Sequence, residues 1–184
     1  MLRMLVMAAL GIGGTAAVAS TAIAVTAQPE ACVARAADTR TLAATDDLRT
    51  RWQGFIASTA TTGQATLVVT EQQATVTAVE WAQRRALPVE DVQITFCPDG
   101  RIEAAATMTG LGAPLHGRLR GTLDTSGGTA RVQVESLRVG ALPEALATSL
   151  ANSAVQSAQL DRMPLDGLRS ATVSDGTLTL VGGR

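Results

Sequence analysis

Few side chains in this sequence could do covalent chemistry, and none stands in the company such chemistry needs. His116 is the single histidine, and at strand spacing it shares a face with Arg118 and Arg120, opposite Leu115, Leu119 and Leu123, as a solvated surface group. One histidine and two widely separated cysteines, Cys32 and Cys97, cannot complete the nitrogen and sulfur ligand set of a zinc site, so no metal is expected. A serine nucleophile needs a base. No Gly-x-Ser-x-Gly elbow occurs, and Ser-x-x-Lys is excluded because the chain has no lysine. The carboxylate pairs Asp46-Asp47 and Glu90-Asp91 fall at a helix start and at the beginning of a strand, where capping or solvation explains them. Gly110-Leu111-Gly112 lacks the third glycine and following helix of a nucleotide loop. The expectation is a protein that is not an enzyme and carries no cofactor.

Composition narrows the class further. Of 184 residues, 46% are apolar but only 2% aromatic, so the interior must be built from Ala, Val, Leu, Ile and a few Met. The 15 basic residues, all arginine, nearly cancel 16 acidic ones to leave a net charge of −1, which gives no bulk attraction for nucleic acid.

The elements that position these residues begin with an apolar segment. From Met4 to Ala27 no charged residue occurs, a run long enough to cross a hydrocarbon core of roughly 30 Å, with Arg3 on its cytoplasmic side. Val25-Thr26-Ala27 also offers the small residues of a signal-peptidase site. Residues 1–27 are therefore a signal peptide or a membrane anchor, and under either reading the remainder lies outside the cytoplasm, anchored or secreted. In that oxidising setting Cys32 and Cys97 are expected to pair as a disulfide, with a buried pair of free thiols as the alternative.

Residues 28–45 read as a linker and 46–184 as one domain, the usual size for a single core. Leu48, Trp52, Phe55 and Ile56 recur on one helical face over Asp46 to Ser58. Ala65 to Val69 is β-prone. Thr70 with Gln73 forms a capping box opening a second helix to about Arg85. Val92, Ile94 and Phe96 alternate, Pro98-Asp99-Gly100 turns, and Ile102, Ala104, Ala106 and Met108 resume the alternation. A second hairpin turns at Thr125-Ser126-Gly127-Gly128 and returns through Val132 and Val134, and a third turns at Asp175-Gly176 between Arg169–Ser174 and Thr177–Val181. Between them, Leu142, Leu146, Leu150 and Ala154 mark a helix from Pro143 to about Ala158. The class is α+β: a curved antiparallel meander on two or three helices, preceded by the N-terminal signal or transmembrane helix.

Several motifs resemble those of the LmeA-like phospholipid-binding family of exported bacterial proteins and its YpmS-like relatives, which are similar to halves of tubular lipid-binding domains. They are Thr70-Glu71-Gln72-Gln73, Pro88-Val89-Glu90-Asp91-Val92, Pro98-Asp99-Gly100-Arg101-Ile102, Val139-Gly140-Ala141-Leu142-Pro143, and Pro164-Leu165-Asp166-Gly167-Leu168 with Asp175-Gly176-Thr177-Leu178. The resemblance implies a long curved sheet wrapping a helix and leaving an apolar groove for acyl chains. Ile94, Ile102, Ala104 and Met108 on the sheet, with Leu146 and Leu150 on the helix, are the groove candidates. The expected function is a non-enzymatic lipid-binding or lipid-transfer module of the bacterial cell envelope. The alternative is a structural or interaction protein with a solid core, docking an envelope protein partner.

Overall fold

The computed structural model describes residues 31–32, 43–109, 114–125, 131–140 and 168–183. The Met4 to Ala27 segment, the Pro143 to Ala158 helix, Leu146 and Leu150 lie outside them. Among the described residues the chain is α+β, with two helices and two antiparallel sheets. None of the described helices is long and apolar enough to cross a membrane.

Helix α1 (Ala43–Thr62) leads into β1 (Gln64–Thr70), and α2 (Glu71–Arg84) follows at once. Four strands then form a meander: β2 (Val89–Phe96), β3 (Ile102–Met108), β4 (Leu115–Asp124) and β5 (Arg131–Val139), hydrogen-bonded in that order. The last hairpin, β6 (Leu168–Ser174) and β7 (Thr177–Gly183), does not extend the meander. It takes up β1 to make a separate sheet of order β1-β7-β6. The expected single curved meander is thus two sheets, because β1 pairs along its whole length with a strand more than a hundred residues later, Gln64 opposite Gly183 through Thr70 opposite Thr177. Helix α1 also runs longer than its apolar periodicity indicates, starting at Ala43 within the stretch read as linker and ending at Thr62, where the following Gly63 with a φ of 72° stops it.

The capping box forms as expected: Thr70 Oγ1 accepts from Gln73 N–H and Gln73 Oε1 accepts from Thr70 N–H. The helix so started solves a problem for β2, which is an edge strand with unpaired backbone groups. Glu71 Oε1 accepts from Phe96 N–H at 2.8 Å. One helical turn on, Thr75 Oγ1 accepts from Ile94 N–H at 3.0 Å and donates to Ile94 O at 3.3 Å. Four residues of helix rise about 6 Å and two residues of strand about 6.6 Å, so the two runs stay in step. Thr75 is buried. Its replacement by valine keeps the shape and orphans both Ile94 groups, so Thr75→Val is expected to cost about 2 kcal/mol in urea unfolding.

The core lies between the sheets and helices. Ala74, Ala78 and Ala82 of α2 meet Val92, Ile94, Phe96, Ile102 and Ala104 of the four-stranded sheet, with Leu67, Val69, Leu178 and Leu180 from the other sheet and Leu48 and Phe55 from α1. Alanines on α2 let this aromatic-poor interior close. Where α1 crosses β7 the approach needs a glycine, since a Cβ on Gly182 would stand 2.2 Å from Thr59 Oγ1 and 3.1 Å from Phe55 Cζ. Gly182→Ala is expected to push α1 off the sheet and cost about 2 kcal/mol, read as a lowered midpoint in thermal unfolding.

The expected disulfide is present. Cys32 and Cys97 are bonded, their Cα atoms 5.8 Å apart, and join the chain ahead of α1 to the residue that follows β2.

Candidate functional site

Strand alternation gives the four-stranded sheet two chemically distinct faces. On the apolar face the registers stack Met108 beside Leu115, Ala106 beside Gly117 and Val139, Ala104 beside Leu119 and Leu137, and Ile102 beside Gly121 and Val134. The Ile102 end of this face belongs to the core described above. Toward the other end, the Ala106, Gly117 and Val139 row is made of small side chains. It sinks a recess lined also by Ala104, Met108, Arg118, Leu119 and Leu137, with a volume of about 10 Å³.

The sheet-borne groove candidates divide between these two regions. Ile94 and Ile102 are core residues, each 1% exposed, while Ala104 and Met108 line the recess. Leu137 and Val139, which sequence alternation does not reach, complete it. The reason is a β-bulge: Arg120 pairs with Ser136 but Gly121 pairs with Val134, so Glu135 is an extra residue on β5. The extra residue flips the parity of the strand, and the inward set passes from Val132 and Val134 to Leu137 and Val139.

The opposite face carries the charge. Glu103, the second residue of β3, is 1% exposed. Its Oε2 accepts from Arg120 Nη2 at 2.9 Å and its Oε1 from Arg118 Nη1, the two arginine side chains being 31% and 15% exposed. Arg118 Nε is buried with no hydrogen-bond partner. Both arginines come from β4, where Arg120 lies directly opposite Glu103 in register. Arginine suits the task because its planar fork can grip a carboxylate and its charge persists on burial.

Further along this face Thr107 Oγ1 stands 3.0 Å from His116 Nδ1 and donates to Asp91 Oδ2 at 3.3 Å. His116 is half-buried and hydrogen-bonded rather than wholly solvated. The order is carboxylate, hydroxyl, imidazole. A catalytic triad needs the imidazole in the middle, with the carboxylate orienting it and the hydroxyl yielding it a proton, so this cluster does not have the connectivity of that triad. Asp91 itself has a φ of 51° beside a bulge in β2, a conformation Asp tolerates better than most residues. The carboxylate pair Glu90-Asp91 is therefore part of the strand's irregular start. Among the described residues no group of three or more His, Cys, Asp or Glu could hold a metal ion.

A second, wider cleft of about 380 Å³ opens between α1 and β1, lined by Arg51, Phe55, Ser58, Thr62, Thr66 and Leu67 among others. Arg51 spans one side, donating from Nη2 to the backbone oxygen of Val68 at 2.9 Å. It is broad and mixed in polarity, unlike the apolar recess. No protein-family model, no curated protein and no solved structure matches this chain.

Proposed function

We propose that the chain is an exported, non-enzymatic lipid-binding or lipid-transfer module of the bacterial cell envelope, taking acyl chains against the apolar face of β3, β4 and β5. The observation that carries the reading is the row of small residues Ala106 and Gly117, which sinks a recess among Met108, Leu119, Leu137 and Val139. Apolar burial of about 25 cal/mol per Å² would hold the ligand without covalent chemistry. The Cys32–Cys97 bond supports an address outside the cytoplasm, where disulfides persist. The resemblance to LmeA-like proteins supports the ligand class, a membrane phospholipid.

One observation favours the second reading, a structural or interaction protein with a solid core and a protein partner. The recess holds about one water, whereas ligand pockets run to several hundred Å³. Lipid binding therefore requires the recess to open. Native mass spectrometry of the purified chain separates the two: copurified or vesicle-loaded phospholipid is the expected result. A chain that stays lipid-free while crosslinking to one envelope protein would support the solid-core reading.

A further inference from the structure

Antiparallel pairing gathers alternate strand ends at each end of the four-stranded sheet, and the disulfide marks one of those ends. Cys97 follows Phe96 at the end of β2, so the turn from Pro98 to Arg101 lies at this end. Pairing of Ile102 with Gly121 brings the end of β4 and the start of β5 there too. The second sheet is tied to the same end, since Gly176, in the β6–β7 turn, donates its N–H to Phe96 O at 3.1 Å and accepts from Glu71 N–H at 3.2 Å. The C-terminus of α2, the start of β2 and Met108 lie at the other end.

We propose that the disulfide is a short leash that turns the Cys97 end of the domain toward the lipid surface. The inference rests on reading Met4 to Ala27 as a retained anchor. Only four residues lie between Ala27 and Cys32, so five Cα steps separate them. Such a stretch spans about 18 Å fully extended and about 12 Å relaxed. Cys97 is fixed 5.8 Å beyond it. From Phe96 back to Val89 the sheet is about 25 Å long. Placing the opposite end against the membrane would draw the leash to its limit, whereas the Cys97 end reaches the surface with slack. Without the bond the next described element is α1 at Ala43, sixteen Cα steps from Ala27. A reach of up to about 55 Å no longer selects one end of the domain.

The recess at Ala106, Gly117 and Val139 lies four residues along β3 from Ile102, in the half of the domain away from the membrane. An acyl chain seated there has left the bilayer, which fits a carrier that hands lipid onward.

The test uses the full chain in vesicles of phosphatidylethanolamine and phosphatidylglycerol, with a photo-crosslinking phenylalanine analogue at Asp99 or at Gln83, exposed positions at the two ends. With the disulfide intact, lipid adducts are expected severalfold more often from Asp99 than from Gln83, and reduction should bring the two toward parity. Equal adducts, or an excess at Gln83, from a chain that floats with the vesicles would overturn the orientation and leave the anchor reading standing. A bias undiminished by reduction would overturn the disulfide as its cause. A chain that does not float with vesicles would overturn the anchor and the orientation together, without touching the lipid recess.

Discussion

Replacing Glu103 by alanine is expected to destabilise the protein by about 3 kcal/mol, among the largest losses from any single polar residue in the described fold. The carboxylate is 1% exposed and takes hydrogen bonds from two arginines, one of them 15% exposed. Removing it leaves the Arg118 guanidinium next to Arg120 with no counter-charge and with an Nε already lacking a partner. The figure sits at the lower end for a broken buried ion pair because Arg120 keeps a third of its surface in water and can swing out. Urea unfolding of Glu103→Ala against the parent measures it. Replacing all three with Leu and Met should cost far less than the single change, because no charge is then stranded. A triple variant as unstable as Glu103→Ala would show that packing, rather than charge pairing, sets the loss.

The double substitution Cys32→Ser with Cys97→Ser is expected to cost about 4 kcal/mol, the larger of the two effects, through the chain entropy released when a 65-residue loop opens. Cys97 is wholly buried, so the serine at that site also carries a hydroxyl into an apolar setting. Thermal unfolding of the parent with and without reductant is the check. The oxidised protein should melt well above the reduced one, and the serine variant should melt slightly below the reduced parent.

Local features were legible in the sequence, and nonlocal ones were not. Thr70 and Gln73 announce a helix start because both halves of the capping box lie within four residues. The hairpins at Gly100 and Gly176 are legible for the same reason: each turn places a glycine at positive φ between two alternating strands. The division into two sheets was hidden, since nothing near β1 says that its partner is β7. Leu137 and Val139 were hidden by Glu135, one inserted residue that breaks the alternation on which strand reading depends. Glu103 reads as an ordinary outward carboxylate on an alternating strand. Its burial depends on arginines that fold over it from β4, and only the register of Glu103 with Arg120 brings that out. The groove candidates followed the same pattern. Ile94 and Ile102 have the right alternation but fall in the part of the face packed into the core with α2, whereas Ala104 and Met108 line the recess.

The claim that acyl chains bind the apolar face of β3 to β5 is tested most directly with a phospholipid carrying a photoactivatable group within its acyl chain, loaded onto the purified protein and mapped by peptide mass spectrometry. Adducts are predicted on the peptides bearing Met108, Leu119, Leu137 and Val139. Absence of adducts there, or adducts confined to the Glu103 face or to the cleft between α1 and β1, would contradict it.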